Sequence, residues 1–204
     1  MRFLTLIGDL IILNLLFILT SLPIITIGAS LTALYSMTMR LIRNEEGTST
    51  AKGYIQAFRD NFKKGTATGL LVLLIGAVLA VNAILILKDG ENYSGFMKYV
   101  LVLAAVMYAL LFSWIFALTA RFENNIRNTL KNSLFLALSH PVISLCAMIC
   151  TFFPLILLYW KTYWFLYSLA IWSTVGLAAL CYLNSLSFVR IFRKLEGYSH
   201  EITE

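Results

Sequence analysis

Asn14-Leu-Leu-Phe-Ile-Leu-Thr-Ser-Leu-Pro-Ile-Ile-Thr-Ile-Gly-Ala-Ser-Leu-Thr-Ala-Leu-Tyr35 decides the fold: an apolar run broken once, at Pro23, with Thr26 and Gly28 close behind. Proline has no backbone N–H to give and pushes the preceding residue, Leu22, away from helical angles. A first helix should therefore stop there and a second restart almost at once, as a tight membrane hairpin. The restarted helix carries Gly28, Ala29, Ser30, Thr32, Ala33 and Ser36. Small residues thus recur at the four-residue spacing that lets membrane helices approach closely. We expect Gly28 to pack the first two helices together, to reject leucine and to accept alanine.

Composition puts the whole chain in a membrane. It is 60% hydrophobic and 13% charged over 204 residues, more apolar surface than a soluble core of that size can hide. The predicted class is all-α, a polytopic helical bundle forming one integral membrane domain over residues 1–204. Six spans are expected, at about 3–22, 24–42, 67–87, 96–120, 133–158 and 163–189, with an interfacial helix at about 51–64. The first stretch also has the charged start and apolar core of a signal peptide. Ile27 is not the small residue that cleavage near Ala29 would need, so we expect no cleavage.

Charge sets the orientation. Of 16 Lys and Arg, all but Lys88, Lys98 and Lys161 fall on one side of this arrangement. The positive-inside rule then puts both termini in the cytosol of a multi-pass plasma-membrane protein. Tyr93, Tyr99, Tyr159, Trp160, Tyr163 and Trp164 flank the opposite connections as an aromatic belt. The formal net charge is +6. Its basic residues are scattered beside apolar runs, which fits the lipid bilayer and no nucleic acid.

The interfacial segment places Tyr54, Ile55, Phe58 and Phe62 at helical spacing, and should lie on the membrane with its aromatics inserted. Phe58–Gly65 echoes Ile126–Ser133 at an offset of 68. This reads either as two ordinary basic approaches to a span or as a parallel repeat. In the repeat reading, Phe58, Arg59, Phe62 and Lys63, with Arg127 and Lys131, form docking helices for lipid phosphates or an acidic partner.

The polar residues within the spans are few. Asp9 is an intramembrane carboxylate, which by cost alone should be functional or paired. Its nearness to the chain's start also allows a structural role, as a hydrogen-bond acceptor or a partner of Arg40. Asn14, Asn82 and Asn184 suit interhelical hydrogen bonds. His140 precedes Pro141 in a span that also holds Pro154, so a kink is expected, with a nearby His, Ser or Asn satisfying the backbone carbonyl that Pro141 frees. Arg121 and Glu123 are further candidate polar residues. Cys146, Cys150 and Cys181 should be buried thiols, and a 146/150 metal pair lacks a nearby His or carboxylate. HExxH, GxSxG, phosphate-loop and paired-carboxylate signatures do not occur, so we expect no enzyme, no catalytic or metal residues and no cofactor.

The runs Asn14-Leu-Leu-Phe17, Leu22-Pro-Ile-Ile-Thr-Ile-Gly-Ala29, Thr32-Ala-Leu-Tyr35, Ala57-Phe-Arg-Asp-Asn-Phe62, Ala120-Arg-Phe-Glu-Asn124 and Thr129-Leu-Lys-Asn132 resemble the YesL-like integral membrane proteins, domain of unknown function 624. The most distinctive part is the Pro23-x-x-Thr26-x-Gly28 hairpin. The resemblance implies a bacterial plasma-membrane protein whose genes sit near carbohydrate ABC importers. It therefore implies an accessory component of carbohydrate uptake or sensing, with importer permease subunits or a membrane sensor as partners. A small-molecule transporter in its own right is the alternative. The family's molecular activity is not established, so it carries over no catalytic residue.

Overall fold

The computed structural model describes residues 2–45, 49–89, 92–160 and 172–201. Its regular structure is helical throughout: α1 Arg2–Ser21, a 3-10 turn Ile24–Thr26, α2 Ile27–Arg43, α3 Thr50–Asp60, α4 Phe62–Lys88, α5 Gly95–Arg121, α6 Ile126–Ser139, α7 Pro141–Trp160, a π turn Trp172–Gly176 and α8 Leu177–Glu201. Among the described residues, five stretches are long and apolar enough to cross a membrane, or six if α6 and α7 are one bent span. The all-α polytopic bundle read from sequence is therefore the architecture. The start of the sixth expected span (163–171), with Lys161, Tyr163 and Trp164, lies outside the described residues.

The hairpin closes at Pro23, and Thr26 explains why it is so tight. Pro23 is extended at φ −75°, ψ 115°. The Thr26 hydroxyl donates to the carbonyls of Thr20 at 2.6 Å and Pro23 at 2.7 Å, and its N–H donates to Pro23 at 2.9 Å. Carbonyls left open by the end of α1 are thereby satisfied. Leu22, Ile24 and Ile25 at the tip are exposed, as lipid-facing side chains would be.

Gly28 does not join α1 to α2. A Cβ placed on it would collide with the Gly65 carbonyl and sit 2.6 Å from the Gly69 Cα, both on α4. The same holds in reverse, since a Cβ on Gly65 would lie 2.7 Å from the Ala29 Cα. The close crossing is thus α2 on α4, with Gly65-x-x-x-Gly69 supplying the matching half. Gly65, Thr68, Gly69 and Val72 form the buried face of α4. α4 also pairs with α5: near its start Lys64 donates to the carbonyl of Phe122, just past the end of α5, at 2.6 Å, and the Tyr108 hydroxyl of α5 donates to the Val72 carbonyl at 3.2 Å.

The expected kink before Pro141 is larger than a kink. Between α6 and α7 the chain bends by 110°. Pro141 frees the Ala137 carbonyl, and the buried Ser144 hydroxyl takes it at 2.9 Å while accepting from the Trp114 indole at 2.9 Å. His140 lies exposed at the bend, so Ser144 does the job the sequence left open. At Pro154 the helical assignment of α7 continues without a break. Trp114 also stacks on Phe188 of α8, ring centroids 4.2 Å apart, in a cluster with Phe192 and Tyr35.

α3 differs from an interfacial helix with one inserted aromatic face. It ends at Asp60, and Asn61 separates it from α4, whose first residue is Phe62. Gly53, Tyr54 and Ala57 are buried against the bundle, Phe58 is half-buried, and Ile55 and Phe62 are exposed. Phe58 and Phe62 pack edge-on against each other at 5.5 Å. The echoed stretch 126–133 is the unbroken start of α6, whereas 58–65 straddles the α3–α4 break, so the two are not structural equivalents. Of the three thiols expected to be buried, Cys181 is, Cys150 is half-buried and Cys146 is exposed.

The crossing corrects the expectation for Gly28→Ala. Because the methyl would meet backbone rather than a movable side chain, this variant should lose about 1–3 kcal/mol to overpacking. Gly8→Ala, with nothing within 4 Å of the new Cβ, should be near neutral. Thermal unfolding of both in detergent decides it, and equal midpoints would remove the crossing from the account.

Candidate functional site

A cavity of about 510 Å³ opens where α2, the end of α3, the start of α4 and the α5–α6 connection meet. Its charged lining is Arg40 from α2, Asp60 from α3, Lys64 from α4, Arg121 at the end of α5, and Glu123. Amides add donors and acceptors, through Gln56, Asn61, Asn124 and Asn125. Each group arrives by local logic. Arg40 and Arg121 lie in the last turns of their helices, where the carbonyl ends favour cations. Asn61 fills the break that lets α4 leave α3 in a new direction, and its side chain donates to the Ala57 carbonyl at 3.0 Å. Lys64 is tied to the connection through its bond to Phe122.

Asp9 and Tyr54 hold α3 in place, and with it Gln56 and Asp60. Thr50, the first residue of α3, donates to Asp9 at 2.6 Å. Asp9 is therefore a half-buried acceptor, one of the two structural roles foreseen for it; the alternative partner, Arg40, instead approaches Glu45 at 3.9 Å. Tyr54 inserts between α1 and α2, its hydroxyl 2.8 Å from the Thr20 hydroxyl and 3.4 Å from the Ser30 carbonyl. Burial pushes its phenol up to about 12, against the opposing pull of the Thr20 hydrogen bond.

The other predicted polar residues are scattered. Asn14 is fully buried and saturated: it donates to the carbonyls of Trp172 at 3.0 Å and Ser173 at 2.8 Å, and accepts from the Ala178 N–H at 3.0 Å. It thus caps the π turn that leads into α8. Asn82 bonds the Val78 carbonyl of its own helix, and Asn184 bonds Thr151. Arg59, Lys63, Arg127 and Lys131 are exposed beyond the cavity lining. Of the candidate site residues, Arg121 and Glu123 are the two that line this cavity. Sequence reading missed Gln56, Asp60, Asn61 and Lys64 as lining residues, because the break at Asn61 that gathers them is hidden in a segment whose pattern reads as one helix over 51–64.

Residues 10–83 match the family model described as protein of unknown function, DUF624. Over this segment the chain is similar to that family. The matched segment runs from α1 into α4, and so contains the hairpin, the Gly28–Gly65–Gly69 crossing and the α2, α3 and α4 walls of the cavity, while Asp9 lies just before it. No curated protein and no solved structure matches the chain.

The Tyr54 anchor gives an alkaline signature. An unfolded tyrosine ionises near pH 10, whereas the buried one keeps its proton to about 12. Through that interval the unfolded state releases a proton the folded state holds, so stability present below about pH 10 is lost as pH rises. Tyr54→Phe should remove this part of the loss. Its unfolding midpoint should fall less steeply than the wild type's over that range, and parallel curves would contradict the burial of the phenol.

Proposed function

We propose that this protein is a non-enzymatic membrane accessory component that receives a polar segment of a partner protein in the cavity at the basic end of its bundle. The observation that carries this reading is the lining itself. Both signs of charge and several amides, drawn from four parts of the chain, converge on about 510 Å³. Such a surface can match the mixed donors and acceptors of a peptide segment, and its charges favour one partner over others. The YesL-like resemblance supports a carbohydrate-uptake or sensing assembly in a bacterial plasma membrane, with importer permease subunits or a membrane sensor as the partner. The charge asymmetry supports cytosolic termini, an orientation in which Arg40, Lys64 and Arg121 turn the cavity toward the cytosol.

A transporter acting alone is the second reading. A cavity of about 310 Å³ inside the bundle favours it, with Phe17, Tyr35, Phe112, Phe152, Cys181 and Asn184 among its walls. Against it, Asn14, Asn82, Asn184 and Asp9 are each engaged in the structural hydrogen bonds described above.

Affinity capture of the tagged protein from native membranes tests the docking reading. Glu123→Lys and Asp60→Lys should each reduce recovery of a specific partner by at least about tenfold, the scale for breaking a desolvated charge pair. Wild-type recovery by both folded variants would overturn it. Solute uptake by the purified protein in liposomes would favour the transporter. Orientation is tested separately in a cysteine-free background: a cysteine at Ser49 should label only from the cytosol and one at Ser94 only from outside. Labelling of position 49 from outside would reverse the topology.

A further inference from the structure

Three of the candidate spans finish on or beside arginine: Ile24–Arg43, Gly95–Arg121 and Trp172–Lys194, the last just past Arg193. The fold carries these span ends to one place. Arg43, Arg121 and Arg193 line a single crevice of about 30 Å³ whose other walls are Met39, Val189 and Phe192. Those three apolar walls are buried. The crevice is separate from the larger cavity, although Arg121 reaches both.

Each arginine has a local reason to be where it is. Helix carbonyl ends attract cations, and Glu45 pairs with Arg43 at 2.9 Å. With those interactions in place, three cationic residues from three helices still line one crevice, and like charges repel. An anion with several oxygens turns that repulsion into attraction. Guanidinium forks match phosphate oxygens two at a time, and basic pockets between membrane helices bind lipid headgroups. Span ends also lie at the depth of those headgroups. A crevice of about 30 Å³ has room for roughly two water-sized groups, so phosphate oxygens enter while the rest of the molecule stays outside.

We infer that this crevice is a phosphate-binding site, filled by the phosphodiester of an anionic phospholipid or by free phosphate. The inference is independent of the docking reading, because Arg193 lines this crevice and not the larger cavity.

The test uses full-length protein in nanodiscs of three kinds: phosphatidylcholine alone, phosphatidylcholine mixed with phosphatidylglycerol, and phosphatidylcholine with inorganic phosphate in the buffer. Lipid retained by the protein is read by native mass spectrometry, and stability by the thermal midpoint. Wild type should retain phosphatidylglycerol above its share of the mixture. Arg193→Gln, a change at an exposed position, should lower that enrichment about fivefold, while Lys98→Gln, exposed and outside the crevice, should leave it unchanged. A midpoint raised by inorganic phosphate, with the rise lost in Arg193→Gln, would support the site with free phosphate as its ligand. If wild type shows neither lipid enrichment nor a phosphate response, or if Arg193→Gln behaves as wild type in both, the site does not exist.

Discussion

The backbone contact of Gly28 on α2 with Gly65 and Gly69 on α4 is the constraint from which the rest of the bundle follows. In lipid, apolar side chains gain little by leaving the solvent for one another, so helices hold together by close packing and by hydrogen bonds. Glycine at all three positions removes the atoms that would keep the axes apart. Once the axes touch there, Ser36 and Arg40 further along α2 come to face Lys64 and the α3–α4 break, which is how the polar cavity forms. Buried hydroxyls along the same faces spend their hydrogen bonds on their own helices: Ser30 on Thr26, Thr32 on Gly28, Thr119 on Ile115 and Ser133 on Thr129. Most of these polar residues thus line a tight apolar junction with their donors met; Thr68, beside Gly69 on the buried face of α4, is an exception, its hydroxyl buried without a hydrogen-bond partner among the described residues.

The opposite flank is held by a different device. Trp114 stacks on Phe188 and donates to Ser144, and Ser144 in turn bonds the carbonyl that Pro141 leaves open. One buried indole thus links α5, α8 and the sharp α6–α7 bend. The α5–α6 connection that supplies Glu123, Asn124 and Asn125 to the cavity lies beside this junction, where Phe122 packs edge-on to Phe192 at 5.3 Å. Basic span ends on the same flank then meet around Met39, Val189 and Phe192.

What could be read from sequence was local. Pro23 with Thr26 specifies a turn through a missing donor and a short hydroxyl, both of which act within six residues. The membrane class follows from composition alone. Gly28 was legible as a contact residue but not its partner, because Gly65-x-x-x-Gly69 sits in the basic approach to a span and reads first as a flank. Tyr54 shares a periodic stripe with Ile55 and Phe58, and periodicity cannot say that Tyr54 points into the bundle while Ile55 points out. Asn14 looked like interhelical glue and is, but its partners at Trp172, Ser173 and Ala178 lie far along the chain, where only tertiary structure brings them near. The meeting of Arg43, Arg121 and Arg193 was illegible for the same reason.

The crossing is tested most directly by a short, reducible thiol crosslinker between cysteines at Ser36 and Lys64, in a chain whose own three cysteines are replaced and which carries a protease site in the connection between α2 and α3. Ser36 on α2 and Lys64 on α4 line the same cavity, and neither position is one of the contact glycines, so the pair reports the crossing without adding an atom to it. Crosslinking in native membranes should leave the two cleaved fragments joined until a reductant is added. Fragments that separate without reductant, from protein that is otherwise folded, would show that α2 does not cross α4 at its glycines.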